Sequence, residues 1–333
     1  MNIDENFVCP ETQGPLHLVV DSSSSGSQFL ENENGRRYPF IGSIPDLTFP
    51  VALDPDDENT RSFYDNRADD YDKYLHLTFF THNEDEIKTR SSLIDLLNIS
   101  PSKKVLDLAC GTGRDSELIA ERLGPNGELV LQDIAPAMLS RCCERLAHHN
   151  LNKRFCIANA MYLPYENDSF DAVYSFGGLG EFSDIKKCLS EIVRITRVGG
   201  KVVVGDESMP PWLRNTDYAK ILTTTNPQFA AELPLKYMPV EARDVVVRWV
   251  IGGVFYVIEF TVGEGCPTAN FDFEIPGPRG GTYKTRYYGQ LEGVSDEAKA
   301  LAYSALERKG GSMHNWLDKV VREAAQRDLD GDE

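Results

Sequence analysis

The stretch VLDLACGTGRDS, residues 105–116, decides the fold. Residues 104–109 (KVLDLA) read as a short buried strand, and residues 114–123 read as a helix. Between them Gly111 and Gly113 mark a tight turn. Glycines there permit positive φ and let a ligand touch the backbone, while the helix start offers free N–H groups. Two ligands suit such a turn: a dinucleotide pyrophosphate, or the amino-acid end of S-adenosylmethionine. Asp133, twenty residues beyond Gly113, closes the second strand and can accept hydrogen bonds from ribose hydroxyls, which both ligands carry.

Three details separate the two. Ser116 stands where the dinucleotide pattern wants its third glycine. Asp107, four residues before Gly111, suits the water shell of a cationic amino acid. A phosphate-binding Gly-x-x-x-x-Gly-Lys-Ser/Thr run is absent from the chain.

Outward from the turn the pattern alternates. Strands are predicted at 128–132, 154–158, 171–175 and 201–205, with helices at 84–97, 135–147 and 184–196. Two further strands, 243–249 and 254–261, join through Gly252-Gly253 as a hairpin. Strands separated by helices of about ten residues mean βαβ units and a parallel sheet. The fold class expected is therefore α/β, a Rossmann-like, seven-stranded, mostly parallel sheet with an antiparallel C-terminal hairpin strand. Residues 1–50 form a small module with β-type runs at 16–20 and 37–40, parted by the serines at 22–25. Pro45, Pro50 and Pro55 with Asp54, Asp56, Asp57 and Glu58 read as an acidic linker. Residues 263–333 are a C-terminal extension, helical at 295–308 and 314–325.

Composition narrows the function classes. The 333 residues carry 34 Lys+Arg against 52 Asp+Glu, a net charge of −18, which disfavours a nucleic-acid partner. The first thirty residues lack a basic and apolar signal-peptide pattern, and Arg248 and Glu259 interrupt the most apolar run. Seven scattered cysteines read as reduced thiols in a cytoplasmic protein, with Cys142 and Cys143 as inert helix residues. His17, His76, His82, His148, His149 and His314 show no ligand spacing, so no metal is expected; His148-His149 reads as a helix end.

Residues 105–116 with Gln132-Asp133-Ile134 resemble motifs I and II of the class I S-adenosylmethionine-dependent methyltransferases. The segments ANAMYLPYENDSFD (158–171), SFGGLGEF (175–182) and EIVRITRVGGKVVVG (191–205) resemble the family's later motifs in order and spacing. The style is that of the ubiquinone/menaquinone-biosynthesis group, over residues 60–262. The resemblance implies S-adenosyl-L-methionine as cofactor and S-adenosyl-L-homocysteine as product. It places Asp107, Ala109, Gly111 and Gly113 at the methionine end, with Ala109 where the family usually has glycine. Asp133 would hold the ribose and Ile134 pack on the adenine. Asn159 sits where the family has an Asp at the adenine amino group, and its carbonyl oxygen can serve. Ala160 and Met161 would form a wall, Ser175 and Phe176 lie beneath the sulfonium, and Tyr64 and Tyr71 close over the methionine. Residues 7–47 resemble a small zinc-ribbon module, but only Cys9 of its two Cys-x-x-Cys pairs is present and Thr12 replaces the partner, so zinc is not expected.

Methyl transfer needs alignment and a dry site, and a base only where the acceptor loses a proton. Glu181, Asp206 and Glu207, at the carboxyl edge of the sheet, are the candidate catalytic acids. Residues 206–242, with Trp212, Tyr218, Phe229 and Tyr237, read as a lid insertion over an apolar or aromatic small-molecule acceptor. Arg279, Lys284 and Arg286 read as partners of acidic neighbours, the alternative being a carboxylate or phosphate on the substrate. The expected activity is methylation of a small metabolite. The alternatives are a protein that binds the cofactor without transferring methyl groups, and an RNA methyltransferase, against which the charge argues.

Overall fold

Alternating strand and helix between Lys104 and Glu207 build five parallel strands in the computed structural model: β5 (Lys104–Leu108), β6 (Glu128–Asp133), β7 (Asn152–Ile157), β8 (Phe170–Phe176) and β9 (Thr196–Glu207). The four strands before them belong to an N-terminal sheet: β1 (Leu16–Val20), β2 (Gln28–Asn32), β3 (Arg37–Ile41) and β4 (Ile44–Pro45). Strands β10 (Ala242–Val250) and β11 (Phe255–Val262) add antiparallel to β9, giving the order β10-β11-β9-β8-β5-β6-β7. The seven-stranded, mostly parallel sheet with an antiparallel C-terminal hairpin is thus the fold expected. Central strands β5 and β6 are buried nearly throughout, as strands covered on both faces must be. The chain runs outward from β5 to β6 and β7, then returns to β8 on the other flank of β5. That reversal opens a crevice at the carboxyl ends of β5 and β8, where open α/β sheets bind ligands.

The structure describes residues 7–21, 27–271, 273–276, 282–288, 294–311 and 313–331, so the serine run at 22–25 and Arg279 lie outside the described residues. Two units result, Met1–Pro267 and Thr268–Glu333. In the first, helices α1 (Pro55–Asp65), α2 (Tyr71–Thr81) and α3 (Glu86–Asp95) precede the sheet. Helices α4 (Arg114–Arg122), α5 (Pro136–Arg145) and α6 (Ile185–Ile195) lie between its strands, and α7 (Asp217–Thr225) follows β9. The second holds α8 (Tyr283–Tyr288), α9 (Asp296–Lys309) and α10 (Met313–Asp330), with Lys284 and Arg286 on α8. No helix among the described residues is long and apolar enough to cross a membrane.

Two local expectations change. The acidic linker is helix α1: Asp54 caps it by accepting from Asp56 N at 3.0 Å, and Pro55 stands at its first position. Asp56, Asp57 and Glu58 complement the free N–H groups of its first turn, so the acid run was a helix start. The N-terminal module has four antiparallel strands in the order β1-β2-β3-β4, where two β-type runs were expected. Its residues Phe7, Leu16, Leu30, Tyr38 and Leu47 share one apolar core with Met161, Leu163 and Tyr165. Backbone bonds Val8 N to Pro164 O (3.0 Å) and Leu47 N to Ile157 O (2.8 Å) tie it to the main sheet's flank. The buried Cys9 sulfur accepts from Asn32 Nδ2 at 3.2 Å and meets the Tyr38 hydroxyl at 3.2 Å.

Candidate functional site

The turn after β5 sits in the crevice. Gly113 (φ 84°) caps α4, and Gly111 (φ 55°) points its N–H at Asp133 Oδ2, 2.8 Å away. Ala109 holds φ 55° despite its Cβ, a conformation that glycine tolerates better. Its methyl group has room because residue 178 is glycine: a Cβ there would lie 2.8 Å from that of Ala109. Ala109, Gly111, Asp133 and Gly178 line one cavity of about 930 Å³, open mouth included.

Its floor is acidic. Asp107 is buried and accepts from Ser116 Oγ at 2.5 Å. Burial, and then nearby Asp115, push its carboxyl well above the usual range, against the Ser116 hydroxyl. Arg90, also buried, donates to Glu86 Oε1 (2.9 Å) and Asp115 Oδ2 (2.8 Å). The second oxygen of Asp115, Oδ1, is buried and has no partner, although the residue lines the cavity.

Asp133 accepts from Gly111 N and, at 2.9 Å, from Ala135 N. A carboxylate offers about four acceptor positions, so capacity remains for a ligand. Burial raises its pKa to about 6, opposed by the N–H groups of Ala135, Gly111 and Ile134. Asn159 is occupied differently from expectation: its Oδ1 accepts from Met161 N (3.0 Å) and its Nδ2 donates to Asp57 Oδ2 (3.2 Å). Asp57 is buried, lines the cavity and also accepts from Ser183. The acid at this edge is therefore Asp57, which the linker reading missed. An acid at the third helical position after a capping Asp-Pro was the signal that pointed to it.

The roof comes from α1 and α2. Tyr64 and Tyr71 line the cavity and meet edge to face at 5.9 Å. Burial raises both phenols, that of Tyr71 to about 12. Three acids of the roof fasten it to one face of α5. Asp65 Oδ1 accepts from Ala137 N (2.8 Å), Asp69 pairs with Arg141, and Asp72 pairs with Arg145. Residues 137, 141 and 145 are spaced four apart and so share a face. Asp72 also accepts from Thr112 Oγ1 at 2.8 Å, latching the roof to the glycine turn.

Of the site residues read from sequence, Tyr64, Tyr71, Asp107, Ala109, Gly111, Asp133, Ile134, Asn159, Ala160 and Phe176 line this single cavity. Gly113, Met161 and Ser175 do not line it: Gly113 is packed on Cys142, and Met161 and Ser175 are buried behind the wall. Ser175 Oγ is buried without a partner. Among the candidate acids only Glu181 lines the cavity, held by Gln228 Nε2 at 2.9 Å. Asp206 is buried, its oxygens accepting from Gly180 N and Glu207 N. Burial, and then the hydrogen bond and charge of Asp206, push the Glu207 carboxyl up to about 10.

Residues 99–242 match the methyltransferase-domain family. The matched segment is less than half of the chain. It contains the glycine turn, Asp133, Asn159 and Glu181. The demethylmenaquinone methyltransferase of Thermus thermophilus is 36% identical over 126 residues, 38% of this chain and 57% of that protein. The ubiquinone/menaquinone biosynthesis C-methyltransferase of Legionella pneumophila (strain Paris) is 35% identical over 119 residues, 35% of this chain and 48% of that protein. The chain thus spans about half the length of these curated relatives. A solved S-adenosylmethionine-dependent methyltransferase of Aquifex aeolicus aligns with a TM-score of 0.39 and 15% identity, over 52% of this chain and 89% of that one.

Proposed function

We propose that the cleft binds S-adenosylmethionine and that the chain transfers its methyl group to a small aromatic or apolar acceptor. One observation supports this reading: a single cavity is lined by the glycine turn, by Asp107, Asp115 and Asp133, and by the aromatic roof of Tyr64 and Tyr71. Asp133 retains acceptor capacity for the ribose hydroxyls, and the carboxylates of the opposite end of the cavity would face the ammonium of the methionine end. Asp107 and the Arg90–Asp115 pair line that end, and Gly111 and Ala109 let the ligand lie on the backbone. Asp57 and Asn159 would meet the adenine edge, beside the apolar wall of Ile134 and Met138.

When bound, the cofactor supplies a methyl group on a positively charged sulfur, which leaves as a neutral thioether. The chain's part is to align, to dry and to remove a proton. Tyr64, Tyr71 and Phe176 exclude water from the reacting end. Glu181 is the base, because it lines the cavity while Asp206 and Glu207 do not. Its carboxylate takes the proton that an acceptor hydroxyl or activated carbon releases. Glu181→Gln is expected to lower the transfer rate by roughly 100-fold or more, with affinity for S-adenosylhomocysteine held within about twofold. Mass detection of S-adenosylhomocysteine across a panel of phenols and cyclic enols checks both. No product with any acceptor would favour a binding protein without transfer, and an unchanged rate would remove Glu181 from the mechanism.

The α5 latch sets a second expectation. Arg145→Ala leaves Asp72 with only Thr112 and Arg114 near it, which loosens the roof. A partly exposed ion pair is worth about 1 kcal/mol, so S-adenosylhomocysteine should dissociate roughly fivefold faster, read by stopped-flow fluorescence. Wild-type dissociation should quicken with added salt in the same way, and the variant's, which keeps the Asp69–Arg141 pair, should do so less.

A further inference from the structure

Helix α4 and the segment after α5 bring together three groups that no step above uses. Glu117 lies on α4, while His148 and His149 follow α5. Their ligand atoms all lie within 4.8 Å of one another. Glu117 Oε1 stands 3.7 Å from His148 Nε2 and 3.8 Å from His149 Nε2. These separations are too long for hydrogen bonds. Two metal–ligand bonds of about 2.1 Å span up to about 4.2 Å, so one ion bridges Glu117 Oε1 to either ring at these separations, and a side-chain adjustment of about half an ångström brings in the third ligand.

We infer that Glu117, His148 and His149 form a binding site for a divalent transition-metal ion that clips α4 to the end of α5. Three further features support it. His149 Nε2 is buried and has no partner, a bare imidazole nitrogen beside the Glu117 carboxylate. The other oxygen of that carboxylate, Oε2, faces Arg145 Nη1 at 3.6 Å, which orients Oε1 toward the rings as outer-shell partners do. Lys153 Nζ donates to the carbonyls of Leu146 and His149, at 2.5 and 2.6 Å, fixing the turn that carries both histidines. Two imidazoles and one carboxylate select zinc, nickel, cobalt or copper over magnesium or calcium, with water in the remaining positions. The sequence hid the site because its third ligand lies some thirty residues before the histidine pair.

The test uses the full chain in a Cys266→Ser background, since that thiol is exposed and binds metal by itself. After stripping with a chelator, the protein is titrated with Ni2+ against a chromogenic competitor. One equivalent should bind with micromolar affinity or better, and Glu117→Gln, His148→Ala and His149→Ala should each weaken it at least tenfold. X-ray absorption of the zinc-loaded protein should show two imidazole nitrogens and light-atom neighbours, a readout that needs no variant. Millimolar affinity, or tight binding that survives Glu117→Gln combined with His149→Ala, would overturn the assignment. So would an absorption spectrum dominated by sulfur.

Discussion

Asp133→Ala is expected to weaken S-adenosylhomocysteine binding at least 100-fold, the largest effect of any single change in the cleft. Two hydrogen bonds from ribose hydroxyls to a buried carboxylate would be lost, each worth about 1.5–3 kcal/mol when charge-assisted. The same change strips Gly111 N and Ala135 N of their acceptor, so the glycine turn loosens as well. Asp133→Asn separates the two causes. It keeps an acceptor for the backbone but loses the charge, and should weaken binding by roughly tenfold.

The pKa of Asp133 adds a pH dependence with a definite sign. Burial raises the carboxyl from 3.8 to about 6 in the ligand-free protein. Ribose hydroxyls donate to the ionised form, so binding favours loss of that proton. Affinity should therefore fall by up to tenfold per pH unit below about 6, level off above 7, and lose this dependence in Asp133→Asn. Stability of the ligand-free chain moves the opposite way. A carboxyl raised by folding contributes fully below its unfolded value of about 3.8, and that contribution disappears as pH rises through about 6. Melting curves with and without ligand, at pH 5 and pH 8, check both signs.

Gly113→Ala carries the second large effect, on folding. Gly113 has φ 84°, and a Cβ added there would lie 2.6 Å from Cys142 Sγ and 3.3 Å from its Cα. Left-handed backbone costs an alanine about 1–2 kcal/mol, and overpacking a core contact costs about 1–3 more. A loss of roughly 3 kcal/mol is expected in urea unfolding. Adding Cys142→Ala removes the sulfur and should restore part of the clash energy, while the backbone strain stays. A Gly113→Ala protein as stable as wild type would mean that α4 and α5 are not packed as described.

Much of this molecule is written in local pattern. The β5 run, the turn at Gly111 and Gly113, and Asp133 are close in sequence, and each obeys a short-range rule of strand, turn and helix start. They led to the parallel sheet and to the cavity's lining. What escaped was set by distance or by competing signals. Asp57 sat in a proline- and acid-rich run that reads as linker until its cap is recognised. Asn159 lines the cavity, but its amide is taken by its neighbour Met161 and by Asp57, about a hundred positions away. The three candidate acids look alike in sequence, and only burial and backbone contacts separate Glu181 from Asp206 and Glu207. Strand β2 escaped because its alternation is short and mixed, and its pairing with β1 and β3 supplies what its sequence lacks.

Calorimetric titration of S-adenosylhomocysteine into the full chain tests the central claim most directly. One equivalent should bind with micromolar affinity at pH 8, and the heat should vanish at the same concentrations in Asp133→Ala. No binding by a folded wild-type chain, or equal affinity in the variant, would contradict the assignment of this cleft.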